Sequence, residues 1–175
     1  MQHLATPDEL LVKLADQLQT LLVNKAIANP LMVGIHTGGV WVATRLHQQL
    51  SIAEPLASLD ISFYRDDFSR IGMHPKVKPS KLPPNVDDRH IILVDDVLHT
   101  GRTIRAAMNE LFDYGRPASI TLVCLVDRGG RELPLQADIV GELIELNEDE
   151  HIKLTGPEPL LFELQKNTTH KATHG

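Results

Sequence analysis

The run Ile91-Ile92-Leu93-Val94-Asp95-Asp96-Val97-Leu98-His99-Thr100-Gly101-Arg102-Thr103-Ile104 constrains this chain more than any other stretch. Four branched apolar residues, Ile91 to Val94, read as a strand buried on both faces, as in a sheet covered by helices. Two carboxylates, Asp95 and Asp96, stand where that strand is expected to emerge. Thr100, Gly101 and Thr103 then occupy a tight loop, and Ile104 opens an apolar helical pattern. A strand, a small-residue loop and a helix start make a cradle for phosphate, because the free N–H groups of the first turn point outward with the positive end of the helix dipole. Carboxylates beside such a cradle can hydrogen-bond a diol or hold Mg²⁺. An isolated Asp-Asp before Thr-Gly would read as a helix cap and a turn. The buried strand before it and Thr-Gly-x-Thr after it favour a ligand site. A Walker loop is excluded, since Gly-Lys-Ser/Thr is missing.

A chain of 175 residues is large enough for one domain with a single core. Apolar residues at 42% and charged residues at 23% are ordinary for a soluble globular protein. The N-terminus carries no apolar run of signal-peptide type, and no stretch reaches the length of a membrane span, so a cytoplasmic protein is expected. Cys124, the one cysteine, lies in the apolar run Ile120 to Val126 and reads as a small buried hydrophobe. The nine histidines lack ligand spacing, so no zinc site is expected. A net charge of −6 disfavours broad nonspecific binding to nucleic acid.

Thr6-Pro7-Asp8-Glu9 is a helix start with a Thr cap, Pro at the first position and Glu closing a capping box. Leu10, Leu11, Leu14, Leu18, Leu21 and Leu22 recur at helical spacing until Asn29-Pro30, predicting a docking helix over 6–28. Leu31 to Ile35 reads as a short buried strand. Thr37-Gly38-Gly39 follows it, and then a helix from about Val40 to Gln49 with Val40, Ala43 and Leu46 on one face. Leu59 to Tyr64 alternates like a half-buried strand. The segment from Phe68 to Asp88 has no sustained period, four prolines and the basic residues Arg70, Lys76, Lys78 and Lys81. It reads as a lid over a polyanionic substrate, or as a solvated loop, with 65–88 as its full extent. Ile104, Ala107, Met108, Leu111 and Phe112 predict an amphipathic helix ending near Tyr114-Gly115. Ala118 to Val126 reads as another buried strand, with Asp127 to Pro134 at its end, where ligands bind in open parallel sheets. Further strands are expected at Ile139-Val140 with Leu143 to Leu146, and at Leu160 to Leu164. A polar tail over 167–175 is expected to fray.

Two apolar residues, two acids and Thr-Gly-x-Thr resemble the phosphoribosyl-pyrophosphate (PRPP) signature of type I phosphoribosyltransferases. Three stretches together resemble the PyrR family more closely: Asp60-Ile61-Ser62-Phe63-Tyr64-Arg65-Asp66-Asp67, Val94 to Thr103, and Gly115-Arg116-Pro117 with Leu125 to Pro134. The similarity runs from about Leu31 to Gly141 and loosely beyond. PyrR proteins are pyrimidine-operon attenuation regulators that also act as uracil phosphoribosyltransferases. The resemblance implies an α/β type I phosphoribosyltransferase fold: one domain over 1–175, a twisted, mainly parallel sheet flanked by helices, and a small hood of later strands over 127–165.

It also implies roles. Asp95 and Asp96 would be catalytic, holding the ribose hydroxyls and favouring a cationic C1. Val97, Leu98, His99, Thr100, Gly101, Arg102 and Thr103 would grip the 5′-phosphate. Thr37, Gly38, Gly39 and Arg65 would receive pyrophosphate. Relatives often carry Thr-Arg-Gly at the first of these loops, where this chain has Thr37-Gly38-Gly39 without the cation. Val126, Asp127, Arg128 and Gly129 would bind uracil, largely through backbone groups. Mg²⁺ would sit mainly on substrate oxygens, with Asp95 and Asp96 as its candidate protein ligands and no dedicated metal site. The implied partners are PRPP, uracil and UMP or UTP in a homo-oligomer, a dimer or larger, with no membrane. Three readings follow: a uracil salvage enzyme, an RNA-binding regulator sensing UMP or UTP, and a purine-type phosphoribosyltransferase. RNA binding is expected to be weak or absent, because Lys13 is the only basic residue inside the first helix and Gly141 to Glu150 is acidic.

Overall fold

On a strand, successive side chains leave on opposite faces, and the apolar runs of this chain divide in that way between two cores. The protein is represented by a computed structural model that describes residues 4–61 and 80–167. The elements are α1 (Pro7–Asn24), β1 (Leu31–Ile35), α2 (Gly38–Gln49), β2 (Ala57–Leu59), β3 (His90–Leu98), α3 (Arg102–Asp113), β4 (Ser119–Asp127), β5 (Ile139–Leu143), β6 (Glu150–Thr155) and β7 (Leu161–Lys166). Strands β2-β1-β3-β4-β5 form one parallel sheet, and β6-β7 form an antiparallel pair. Ile92 and Val94 point into the core under α1 and α2, with Leu11, Leu14, Leu18, Val42 and Leu46. Ile91 and Leu93 point the other way, onto Ile104, Ala107 and Leu111 of α3. The fold is the doubly covered α/β sheet that the sequence implies.

In this order the chain leaves β1 toward one edge and returns through β3 toward the other. The loops after β1 and β3 therefore splay apart and leave a crevice at the carboxyl ends of the strands, where open α/β sheets bind ligands. The Ile91–Leu31 and Val94–Gly34 register brings those two loops side by side.

Several boundaries differ from the expectations. Helix α1 stops at Asn24, short of the expected 28. Ala26 is left-handed at φ 53°, Ile27 N–H donates to Leu22 O at 2.9 Å, and Ala26 N–H to Val23 O at 3.1 Å. That is a Schellman stop made without the usual glycine. Val42, not Val40, is the fully buried valine of α2. Phe112 of α3 is 54% exposed, since it lies beyond the edge of the Ile104–Ala107–Leu111 stripe. Strand β3 does not end at Val94 but runs to Leu98, because β4 pairs with it in register as far as Leu98 opposite Asp127. Strand β6 was not anticipated. In the strand expected over 59–64, β2 ends at Leu59, Ile61 is buried, and Ser62 to Tyr64 lie outside the described residues. So do Arg65, most of the expected lid and the tail beyond Asn167. At the return of that segment, Ser80 Oγ donates to Glu110 and accepts from Asp60 N–H, and Lys81 bridges Ser58.

Candidate active site

Asp95 and Asp96 are strand residues, not loop residues, and this decides how they are presented. Asp95 is 3% exposed and accepts the Asp96 N–H at 2.9 Å on Oδ1. Asp96 is half-buried and leaves on the α2 side. A Cβ on Gly38 would collide with the Asp96 carboxylate, and one on Gly39 would lie 2.7 Å from Val94 O. The two glycines therefore let the first turn of α2 press against the end of β3. A side chain at Gly38 would require the Asp96 carboxylate to turn away, whereas the contact at Gly39 is with backbone.

The loop after β3 turns at Gly101, which is left-handed at φ 92°, and enters α3 at Arg102. Arg102 N–H donates to Thr100 Oγ1 at 3.2 Å. A small concavity of about 40 Å³ is lined by Asp95, Val97, Leu98, His99, Thr100, Gly101, Thr103 and Ile104. A larger cavity of about 920 Å³ runs from Asp95, Asp96 and the His99–Thr103 loop to the hood, where His151, Ile152, Lys153, Gln165 and Asn167 line it. The sequence marks none of the five as a site residue, and Asn167 belongs to the tail expected to fray, yet it is described here and lines the cavity. The alternation His151-Ile152-Lys153-Leu154-Thr155 was the available signal, masked by the acidic run before it.

At the end of β4, the side chains of Asp127 and Arg128 are committed elsewhere. Asp127 pairs with Arg131 and accepts Gly129 N–H at 2.9 Å. Burial pushes its carboxyl up, but the Arg131 hydrogen bonds, the Gly129 N–H and the Arg131 charge outweigh this and hold it below its usual value. Arg128 reaches the hood, donating to Glu150 O and to His151 Nδ1 at 3.1 Å each. Its Nε is buried without a partner among the described residues, and burial lowers its pKa. Because a guanidinium can only donate, His151 Nδ1 is an acceptor toward Arg128, while its Nε2 lies 2.7 Å from the Asn167 side-chain amide. What remains of Val126 to Gly129 for a base is its backbone. Cys124 is buried beside Asp95 in register, and burial followed by the charges of Asp95, Asp127 and Asp96 raises its thiol pKa well above normal. It is no nucleophile.

Among the described residues no group of three or more His, Cys, Asp or Glu side chains could hold a metal ion. The two carboxylates at the cavity floor are hard oxygen donors, and they suit an ion that takes few protein ligands and shares the rest with substrate. Among the same residues, no helix is long and apolar enough to cross a membrane.

The sequence matches the phosphoribosyl transferase domain family over residues 8–160. It is 60% identical over 160 residues to the "Bifunctional protein PyrR" of Nitrosococcus oceani, covering 90% of each chain. It is 54% identical to the protein of the same name from Pseudomonas syringae pv. syringae, covering 95% of this chain and 98% of the relative. Among solved structures, a hypoxanthine-guanine phosphoribosyltransferase from Bacillus anthracis superposes with a TM-score of 0.65 at 20% identity, covering 85% of this chain and 84% of that one. The hypoxanthine phosphoribosyltransferase of Trypanosoma cruzi gives 0.64 at 22% identity, covering 86% and 85%. At such identities these two speak for the fold alone.

Proposed function

Since the chain belongs to the PyrR family of phosphoribosyltransferases, we propose that it transfers the phosphoribosyl group of PRPP to uracil, giving UMP and pyrophosphate. The observation that carries this reading is one cavity joining the β3 carboxylates, the loop before α3 and the hood at the switch point of the sheet. As the C1–pyrophosphate bond breaks and uracil N1, giving up its proton to solvent, bonds to C1, C1 becomes cation-like, so positioning and charge stabilisation do most of the work. Asp95 and Asp96 hold the ribose hydroxyls and lower the energy of that cation. Backbone N–H groups of Val97 to Thr103, with the start of α3, grip the 5′-phosphate. Thr37 to Gly39 receive the pyrophosphate at the N-terminus of α2, which lends a partial positive charge in place of a side chain at Gly38. Arg65 is a further candidate for that charge. Backbone groups of Val126 to Gly129 read the uracil edge. Asp95 and Asp96 would be the candidate protein ligands of Mg²⁺, which would offset the negative charge of the leaving pyrophosphate.

In the same proposal, residues 1–175 form one phosphoribosyltransferase domain with a hood, working in the cytoplasm as a homo-oligomer. The regulatory reading remains beside the enzymatic one, because the relatives are named bifunctional. Supplying PRPP–Mg²⁺ with radiolabelled uracil, orotate, cytosine, hypoxanthine or guanine in turn tests the base. UMP from uracil is expected, and a nucleotide only from hypoxanthine or guanine would replace this reading with the purine-type one.

A further inference from the structure

We infer that Arg131 is a positioning residue for the 5′-phosphate loop: it holds a loop carbonyl on the outer side so that the loop's N–H groups turn toward the bound anion. The inference rests on the reading of that loop as a sugar-phosphate site. In a planar trans peptide, C=O and N–H point in opposite directions, so whatever captures the carbonyl also aims the amide. Three successive carbonyls after β3 are captured from one side, by the chain that follows β4. Leu98 O accepts Arg128 N–H at 3.0 Å, and Thr100 O accepts Glu132 N–H at 3.0 Å and Leu133 N–H at 3.1 Å. Between them, His99 O accepts Arg131 Nη1 at 2.8 Å. The N–H groups of His99, Thr100 and Gly101 are thereby turned to the opposite side, forming the kind of backbone nest that binds anions.

Of these captures only the one at His99 comes from a side chain. Arg131 is itself held at three further points. Nε donates to Leu135 O at 2.8 Å, Nη1 also reaches Asp127 Oδ1 at 2.9 Å, and Nη2 reaches Asp127 Oδ2. Asp127 is 6% exposed at the end of β4, so the fork is anchored in the sheet. Because its charge is matched by Asp127, and because it lines neither the 40 Å³ concavity nor the 920 Å³ cavity, Arg131 does not act as a phosphate ligand. Its effect passes through the His99–Thr100 peptide. A lysine keeps the charge but cannot reach three separated acceptors from one ammonium.

The test is PRPP binding by calorimetry together with steady-state kinetics, on the full-length wild type, Arg131→Lys and Asp127→Asn. Amide hydrogen exchange of the ligand-free proteins is followed in parallel. For Arg131→Lys, Kd and KM for PRPP should rise roughly 10–100-fold, the scale of a small misplacement, while kcat changes far less. Exchange should quicken at Glu132 and Leu133, whose N–H groups donate to Thr100 O, and not in β1. Asp127→Asn should move the same quantities in the same direction by less, and it carries the test if Arg131→Lys does not fold. Lowered thermal stability with unchanged PRPP affinity would mean that Arg131 is only a staple, and would overturn the inference. A wild type that binds no PRPP would instead overturn the reading of the site, and this inference with it.

Discussion

Adjacent side chains on a strand look into different surroundings, so Asp95 and Asp96 cannot be two copies of one group. Asp95 is nearly sealed and tied to the backbone of its neighbour, whereas Asp96 is half-buried against the glycines that open α2. Asp96 is in no salt bridge among the described residues, and both carboxylates line the cavity, as groups that meet a ligand would. Asp95→Asn or Asp96→Asn should therefore lower kcat by roughly 10²–10³, the scale of one electrostatic stabiliser, without a matching loss in urea unfolding. Wild-type kinetics in well-folded variants would refute these roles. Asp127 gives a prediction about pH. Its folded pKa lies below the unfolded value, so its stabilisation is present above about pH 4 and is lost as pH falls through the folded pKa. Wild-type stability should thus drop more steeply on acidification below about pH 4 than that of Asp127→Asn, as read from urea midpoints across a pH series.

Elements carry their own signals, and these were legible where a local interaction makes them. Thr6 and Glu9 form the capping box that their spacing announces: Glu9 N–H donates to Thr6 Oγ1 at 3.3 Å and Thr6 N–H to Glu9 Oε2 at 2.8 Å. Thr6→Ala should cost about 1 kcal/mol in urea unfolding and leave kcat unchanged, because the cap is remote from the cavity. A change under a few tenths of that would show the box to be idle. The stop of α1 was not legible, since a left-handed Ala26 has no residue-type signature. The end of β3 was hidden for another reason. Two carboxylates read as an exit from the sheet, and only pairing with β4, a long-range fact, keeps Asp95 to Leu98 in the ladder. Residues of the cavity floor could be named because strand, loop and helix meet within one short run. The hood wall could not, as His151 and Lys153 reach the cavity only through folding of distant strands.

Charge has to be judged on the whole molecule, and there the regulatory reading is the weaker one. Affinity for RNA comes largely from Lys and Arg set against phosphates, so the basic residues must be both clustered and uncommitted. Lys13, the one basic residue inside α1, donates to Gly141 O at 2.6 Å and so fastens the helix to β5. Arg45 is held between Asp8 at 2.8 Å and Glu158 at 3.0 Å. Arg105 and Arg116 stand near opposite ends of α3, and Lys153 faces the substrate cavity. Around the hood, Glu142, Glu145, Glu148 and Asp149 add to a net charge of −6. With Lys13 and Arg45 committed and Lys153 at the cavity, these five basic residues do not supply an uncommitted cluster. Filter binding to a pyrimidine-operon leader hairpin at physiological salt should accordingly give weak or no retention, with or without UMP or UTP, while uracil turnover proceeds. Nanomolar affinity that depends on a uridine nucleotide would reverse this conclusion. The cations would then have to come from other basic residues, such as Lys25, Arg89 and Lys166 or those within 62–79 and 168–175, or from a partner copy.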